Sequence, residues 1–178
     1  LTKLSSLKDC IHSRLFVDVC PATLSLLRAS HELSQNPGLV LRFRSEIQRT
    51  DYDYVLIDTP PSIDPLFRTG VYSADLILSP VAFTRWIFQA AAFLQSEIET
   101  AKESGRHPAL LAVPSMVTEK ESIFVAEKLT GVLPLTQAAI LKQASLKNAV
   151  EKRQEIKAES RAGLQFDELA KEIERKTA

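Results

Sequence analysis

The sequence predicts an α/β protein with a doubly wound, mostly parallel sheet that is flanked by helices. Tyr54–Ile57 form an apolar run in which three of four residues are β-branched or aromatic, which suits a strand covered on both faces. Strand-like and helix-like segments alternate along the chain, as in parallel sheets with helical crossovers. Because 178 residues fit one domain, we expect residues 1–178 to form a single domain.

The first half of the chain is predicted to contain two strands and three helices. In chain order they are Arg14–Val19, Leu24–Leu33, Leu39–Arg49, Tyr54–Asp58 and Pro65–Tyr72. The breaker Asn36-Pro37-Gly38 separates the first two helices, and Pro60-Pro61 prevents the second strand from continuing. Pro65 suits the first turn of a helix because its missing N–H has no partner there.

The second half is predicted to add three strands and four helices. The strands are Leu76–Val81, Ala109–Val113 and Val132-Leu133. Three of the helices are a long one that Thr84 caps and that runs to Lys102, then Glu119–Leu129 and Gln137–Ala149. The first of these helices carries a buried stripe with spacings of four and three residues, made of Ile87, Ala91, Leu94, Ile98 and Ala101. The last helix is amphipathic and is indicated by Phe166, Leu169, Ala170 and Ile173. We expect Trp86 in the core, since large aromatic side chains mostly pack inside.

Composition and charge are those of a globular protein without an obvious polyanionic partner. The chain is 45% hydrophobic and 25% charged, and 22 basic residues balance 22 acidic ones. Cys10 and Cys20 lack metal-ligand spacing and are expected to be reduced thiols. No apolar stretch approaches the roughly 20 residues of a membrane span, so we expect a cytoplasmic protein with no membrane partner.

Asp58 is the leading candidate for a functional side chain. It stands where the predicted Tyr54–Asp58 strand ends, and ligands of open α/β sheets bind outside the carboxyl ends of the strands. A carboxylate at that position can hold Mg²⁺, directly or through water, beside nucleotide phosphates. Alternatively, Asp58 caps the helix that follows, because Asp is a favoured cap residue. Asp53 and Asp64 are interpreted as solvated or capping residues.

Several segments resemble the ParA/MinD group of deviant-Walker P-loop ATPases, and in particular its plasmid and chromosome partition branch. Residues 52–62 are similar to the Walker B strand and switch II of that family, Ala74–Val81 to its next strand, and Leu15–Leu26 to the strand that precedes two helices in partition members. Leu133-Pro134 and residues 135–148 resemble its nucleotide-base loop and the following helix. The resemblance implies a P-loop NTPase fold with ATP and Mg²⁺ as cofactors.

The phosphate loop of that family has no counterpart in the sequence. Such a loop is glycine-rich and ends in Lys-Ser/Thr, whereas the five glycines here are dispersed and no Gly-Lys-Ser/Thr occurs. We therefore expect a carboxyl-terminal portion of a longer ATPase, or a variant that lost its N-terminal P-loop strand and helix. In either case the chain alone is expected to show no ATP turnover.

The resemblance also implies roles for individual residues. Asp58 corresponds to the acid that orients the magnesium shell, and Thr59, Pro60 and Pro61 belong to the switch that senses the γ-phosphate. Pro134 and Leu135 fall in the loop that holds the adenine, largely through backbone groups, although Leu135 stands where many members carry Arg. Ser115 ends a strand where relatives often place a base-contacting polar residue, but an ordinary strand-end turn explains it equally well.

The resemblance further implies an ATP-dependent homodimer that binds DNA without sequence preference and is stimulated by a ParB-like protein. Candidate DNA contacts are Lys142, Lys147, Lys152 and Arg153. They lie between Lys142 and Arg161, a stretch that contains six basic and three acidic residues. However, Glu151, Glu155 and Glu159 at i, i+4 and i+8 explain the run equally well as a solvated helical face.

Three other functions remain open. A bacterial tyrosine autokinase has a similar Walker B segment, but its carboxyl-terminal tyrosine cluster is missing, since the last tyrosine is Tyr72. A MinD-like positioning ATPase needs a terminal amphipathic helix rich in Lys and bulky apolar residues, whereas residues 164–176 mix acids and bases. The third is a non-enzymatic association module, which the missing phosphate loop favours.

Overall fold

A computed structural model of the chain describes residues 7–14, 16–22, 26–36, 38–60 and 64–177, with the backbone alone for residues 26–29. The chain forms two compact units. The first consists of Leu1–Asp75 and Glu97–Pro108, and the second of Leu76–Ser96 and Ala109–Ala178.

The first unit is helical in its described part. A 3₁₀ turn at Leu7–Cys10 is followed by three helices at positions close to those predicted, namely α1 (Leu26–Gln35), α2 (Gly38–Gln48) and α3 (Pro65–Ser73). Asp64 caps α3, because its carboxylate accepts hydrogen bonds from the amides of Leu66 and Phe67, both at 2.9 Å. The capping interpretation of Asp64 is therefore confirmed, and α3 does not use Asp58 as its cap.

In the described part of this unit, neither of the two predicted strands is formed. The first is reduced to one isolated antiparallel bridge between His12 and Val19, and Leu15 lies outside the described residues. Residues 51–60 have no regular secondary structure, and Leu56 is 88% exposed. An apolar, β-branched run expresses only a local preference for strand, whereas a strand also needs hydrogen-bonded neighbours. Among the described residues, none pairs with Tyr54–Asp58.

The second unit is built on a parallel sheet. Its strands β1 (Leu76–Val81), β2 (Ala109–Val117) and β3 (Ile140–Leu141) lie in the order β1-β2-β3, and both pairs are parallel. The chain crosses from β1 to β2 through α4 (Ile87–Glu103) and from β2 to β3 through α5 (Glu119–Leu129). Helices α6 (Ala144–Lys152) and α7 (Arg161–Thr177) follow. The α/β class with parallel strands is thus confirmed.

Two apolar clusters pack through neighbouring residues of β2. One contains Ala112 together with Val81, Ala91, Val125, Leu129 and Leu133. The other contains Val113 together with Ile140, Leu146 and Ala162. Because successive side chains of a strand point to opposite faces, Ala112 and Val113 place a core on each side of the sheet. This arrangement is the doubly wound one that the sequence predicted.

The elements near the end of the chain begin and end differently from the prediction. Val132-Leu133 is not a strand; the third strand of the sheet is Ile140–Leu141, and Leu135 makes one isolated parallel bridge with Ala112. The helix predicted over Gln137–Ala149 begins only at Ala144. It ends at Lys152, because Arg153 adopts a left-handed conformation with φ 52° and ψ 44°. Glu155 and Glu159 therefore do not continue the helical face that their spacing predicted.

Burial follows the predicted stripe of α4 but not the prediction for Trp86. Ala91, Leu94, Ile98 and Ala101 are all buried, whereas Trp86 is 54% exposed. The helix begins at Ile87, so Trp86 lies just before its first turn, where helical periodicity no longer determines burial. On α7 the buried residues are Ala162 and Glu172, while Phe166 is 42% exposed.

Replacing Gly163 by Ala is expected to destabilise the protein, although Ala is about 1 kcal/mol better than Gly inside a helix. A Cβ at this position of α7 would overlap the backbone carbonyl oxygens of Lys157 and Ala158. Overpacking of this kind typically costs about 1–3 kcal/mol. Urea unfolding should show a lower midpoint for Gly163→Ala and little change for Glu174→Ala, an exposed position of the same helix. A higher midpoint for Gly163→Ala would contradict this close approach.

Candidate functional site

Asp58 lies in residues 51–60 of the first unit, and its carboxylate is exposed to solvent. Near the start of this segment, the Tyr52 hydroxyl donates a hydrogen bond of 2.5 Å to Asp18. This bond raises the pKa of Tyr52 and is the largest cause that lowers the pKa of Asp18. The segment that carries Asp58 is therefore tied to the residues around the His12–Val19 bridge.

The residue after Asp58 is placed by helix α3. Thr59 is half-buried and lies against Gly70, which is buried in the middle of that helix. A Cβ at Gly70 would come within 2.6 Å of the Thr59 Cγ2 atom, so a larger residue there would force the Thr59 side chain or α3 to move. Pro60 is also half-buried, and Pro61 lies outside the described residues. The candidate switch thus rests on α3 through a glycine contact.

Two arginines bind the carboxyl end of α3. Arg44 donates to the Ser73 carbonyl at 2.5 Å and to the Asp75 carboxylate at 2.9 Å. Arg106 donates to two further carbonyls at this end of the helix, at 3.0 and 3.2 Å, and lies 3.5 Å from Asp75. Cations at a helix carboxyl terminus donate hydrogen bonds to its free carbonyls and interact favourably with the negative end of its dipole. Asp75, in the segment that resembles a family strand, therefore has a structural role here.

A further ion pair joins α3 to the part of α4 that belongs to the same unit. The Arg68 guanidinium donates two hydrogen bonds to the buried Glu97 carboxylate, at 2.9 and 3.0 Å. The hydrogen bond with Glu97 is the main reason why the pKa of Arg68 is raised. This bidentate pair restrains the orientation of α3. It therefore also helps to position Gly70, which contacts Thr59.

In the second unit, Ser115 lies at an irregularity of the sheet. It is half-buried on β2, and its hydroxyl donates to the Val113 carbonyl at 3.0 Å. The register with β3 shifts between Ser115 and Val117, and Met116 has φ 55°. A left-handed conformation is uncommon for a residue with a side chain such as Met. The bulge leaves Met116 53% exposed at the carboxyl end of β2.

The start of the candidate base loop, residues 134–138, is held by backbone hydrogen bonds to β2. The Pro134 carbonyl accepts from the Ala112 amide at 2.8 Å, and Thr136 donates to the Ala112 carbonyl at 2.9 Å. Pro134 is exposed and Leu135 half-buried. These bonds dock the start of the loop on β2.

A buried acid fixes the other end of this loop. The Glu172 carboxylate on α7 accepts hydrogen bonds from the Gln137 amide, at 2.9 and 3.1 Å, and from the Ala138 amide at 3.2 Å. Gln165, two turns earlier on the same face of α7, accepts from the Leu141 amide of β3 at 3.1 Å. Helix α7 therefore supplies acceptors to backbone amides of the loop and of β3.

The four candidate DNA contacts are exposed but differ in their partners. Lys142 pairs with Glu121 at 3.1 Å, and Lys147 pairs with Glu151 at 3.8 Å. In the described part of the chain, Lys152 and Arg153 form no ion pair. The positive charges of Lys152 and Arg153 are therefore less compensated by carboxylates than those of Lys142 and Lys147.

Glu121 should titrate below its ordinary range in the folded protein. Its pKa is lowered first by the Thr118 amide, in a capping box at the start of α5, and next by Lys142. Since the folded pKa is depressed, this contribution to stability is present above the unfolded pKa and is lost as the pH falls through the folded pKa. An NMR titration should show a higher Glu121 midpoint in Lys142→Ala. An unchanged midpoint would mean that the pair does not form in solution.

The structure groups the candidate residues by unit. Asp58, Thr59 and Pro60 belong to the first unit, and Ser115, Pro134 and Leu135 to the second. Within the described ranges, no group of three or more His, Cys, Asp or Glu residues is arranged to hold a metal ion. Across those same ranges, no helix is both long enough and apolar enough to cross a bilayer.

Sequence reasoning missed Gly70 and Glu172. Gly70 stands inside a predicted helix without any local reason for glycine, and Glu172 interrupts an otherwise apolar face near Leu169 and Ile173. A glycine inside a helix, or an acid on its apolar face, destabilises the fold unless another segment contacts it. Such a residue therefore indicates a close contact elsewhere in the chain. The partners themselves are distant in sequence and only the fold reveals them.

Comparison with known proteins agrees with this architecture. The family model AAA_31, described as an AAA domain, matches residues 1–110, which include the Asp58 segment, α3 and β1. The chain belongs to this family, and it is a member of the ParA/MinD-type P-loop ATPases.

Individual relatives are partition proteins. The chromosome-partitioning ATPase Soj of Thermus thermophilus is 31% identical over 55% of this chain and 38% of its own length. The chromosome partitioning protein ParA of Myxococcus xanthus is 30% identical over 53% of this chain and 34% of its own length. The matches therefore span little more than a third of these relatives.

A solved structure shares the fold. A protein of Borrelia burgdorferi B31 assigned to plasmid partition, determined with AMPPNP bound, superposes with a TM-score of 0.78. The superposition covers 97% of this chain and 70% of that one, at 13% identity. At this level of identity the likeness is one of fold.

Proposed function

We propose that this chain acts in a ParA-type partition ATPase that segregates plasmids or chromosomes. In this proposal ATP with Mg²⁺ promotes a homodimer, the dimer binds DNA without sequence preference, and a ParB-like protein stimulates hydrolysis. The observation that carries the proposal is the family match over residues 1–110, because this stretch contains the Walker B-like segment ending in Asp58.

Asp58 fits a role in holding Mg²⁺. Its carboxylate is exposed and its neighbour Thr59 is anchored on α3, so the acid has access to solvent from a supported segment. Mg²⁺ keeps several waters and commonly takes only one or two protein carboxylates beside substrate phosphates, so it needs no larger cluster of acids. When bound, the ion would neutralise charge on the transferring phosphate. Thr59, Pro60 and Pro61 would form the switch beside it.

The base of the nucleotide is assigned to the second unit. Backbone groups of Pro134 and Leu135 would contact the adenine, with Ser115 as a candidate polar contact. Support comes from the way this loop is held, because hydrogen bonds to β2 and to Glu172 restrict it before any ligand binds. A preformed loop loses less conformational entropy on binding.

DNA binding is assigned mainly to Lys152 and Arg153, with smaller contributions from Lys142 and Lys147. The double variant Lys152→Ala/Arg153→Ala should reduce the slope of log K against log salt by about 2, since each removes one phosphate contact. The matched variant Lys142→Ala/Lys147→Ala should change the slope less, because these lysines already pair with carboxylates. Fluorescence anisotropy with duplexes of unrelated sequence measures both. Equal slopes for the two double variants would contradict this ranking.

A second candidate, a non-enzymatic association module, is favoured by one observation. No Gly-Lys-Ser/Thr occurs in the 178 residues. Equilibrium dialysis of the purified chain against ATP and Mg²⁺ separates the two functions, because an association module would not bind the nucleotide. Such a module would also bind no DNA in a nucleotide-dependent way.

A further inference from the structure

A groove lined by aromatic side chains opens on the second unit, apart from the residues assigned to nucleotide and DNA. Its volume is about 380 Å³, and it lies between the segment before α4 and helix α5. We call it the aromatic groove; it is lined by Phe83, Thr84, Arg85, Ile87, Phe88, Phe124, Val125 and Lys128. Among the residues that the structure describes, no acidic one lines it.

The aromatic groove leaves large apolar side chains in water. Phe83 and Phe88 are each 48% exposed, and Phe124 is 44% exposed. Phe83 and Phe124 contact each other edge to face with their centroids 5.2 Å apart, which holds both rings in place. Contiguous exposed apolar surface on a globular unit marks interaction sites.

Both cations of the aromatic groove lie over aromatic rings. The Arg85 guanidinium is 4.7 Å from the centre of the Trp86 ring, and the Lys128 ammonium is 5.4 Å from that of Phe124. Neither cation pairs with a carboxylate anywhere in the described ranges. The groove therefore presents an apolar floor between two uncompensated positive charges.

We propose that the aromatic groove binds a peptide segment of a partner protein in which a large apolar side chain is flanked by acidic residues. The apolar side chain would enter between Phe83, Phe88 and Phe124, and the carboxylates would pair with Arg85 and Lys128. Charge complementarity selects this occupant, since apolar anchors supply affinity and opposite charges supply specificity. A nucleic-acid strand suits the groove less well, because it needs a track of cations along its backbone and the described lining contains two.

The single tryptophan of the chain makes the test specific. Because Trp86 is the only tryptophan, a change in its fluorescence reports on the edge of this groove. The probe is a short synthetic peptide with a central Leu-Phe pair flanked by glutamates, and the control peptide has lysines in place of the glutamates. We expect saturable binding of the acidic peptide, weakened by salt, and binding of the basic peptide at least about tenfold weaker.

Variants locate the interaction. Arg85→Glu and Lys128→Glu should each weaken binding of the acidic peptide about tenfold, whereas Lys176→Glu, which changes the net charge equally at an exposed end of α7, should not. Phe124→Ala should also weaken binding, and the exposed charge reversals preserve the test if that variant fails to fold. The proposal is overturned by equal binding of both peptides, or by charge reversals without effect. It is also overturned by preferential binding of a single-stranded oligonucleotide at this groove, or by self-association that buries Trp86.

Discussion

Asp58→Ala is expected to lower ATP hydrolysis by about 10- to 100-fold in a fusion that joins the phosphate-loop segment of a ParA-type ATPase to residue Leu1. The loss is that of a carboxylate that orients the Mg²⁺ shell, and outer-shell partners of metals carry effects of this size. A coupled assay of phosphate release measures the rate, and a Mg²⁺ titration should show that the variant needs more metal for half-maximal activity. The unfused chain should stay at background, because its sequence contains no Gly-Lys-Ser/Thr.

A matched control makes the Asp58 experiment selective. Asp53→Ala removes another exposed carboxylate from the same segment, five positions away, and should leave the rate of the fusion unchanged. Circular dichroism establishes that both variants fold. If the two variants hydrolyse ATP at the same rate, Asp58 does not take part in the metal site and the proposed function loses its leading residue.

Glu172→Ala is expected to lower the free energy of unfolding by about 2–4 kcal/mol, a large effect for one side chain. The substitution leaves the buried amide of Ala138 and the partly buried amide of Gln137 without this acceptor, and a buried unsatisfied group costs about 1–3 kcal/mol. Urea unfolding measures the total change. Hydrogen exchange at these two amides should accelerate in the variant, which reports the release of the candidate base loop directly.

Two further variants separate this contact from the general effect of changing helix α7. Glu168→Ala removes an exposed acid from the same helix and should shift the midpoint little. Glu172→Gln retains one acceptor oxygen and should fall between the wild type and Glu172→Ala. Unchanged exchange at Gln137 and Ala138 in Glu172→Ala would show that the loop is held by other bonds, such as those to Ala112.

The elements that could be predicted from sequence are those whose boundaries are set locally. Strand Leu76–Val81 and helix Glu119–Leu129 were predicted to the residue. The helix begins with a capping box between Thr118 and Glu121, in which both hydrogen bonds join residues three apart. Similarly, the buried stripe of α4 follows from spacings of three and four residues. Short-range patterns of this kind are complete within the segment that carries them.

Predictions that depended on distant partners were less successful. The apolar run Tyr54–Ile57 has the composition of a buried strand, but none of the described residues pairs with it and Leu56 stays exposed. Trp86 was placed in the core from its size, yet it lies at the rim of the aromatic groove. The residue type indicates a tendency to be buried or to form a strand. Whether the residue is buried depends on which other segments pack against it in the fold.

The α/β class, the family resemblance and the choice of Asp58 as a candidate metal-site residue came from the amino-acid sequence alone. These rest on residue spacing, helix and strand breakers and one short motif. Long-range packing decided that Ile140–Leu141 rather than Val132-Leu133 completes the sheet, that Thr59 rests on Gly70, and that Glu172 holds the loop after Pro134. These last features join segments up to 35 positions apart in the chain. Their energies come from desolvation and hydrogen-bond geometry that no local pattern encodes.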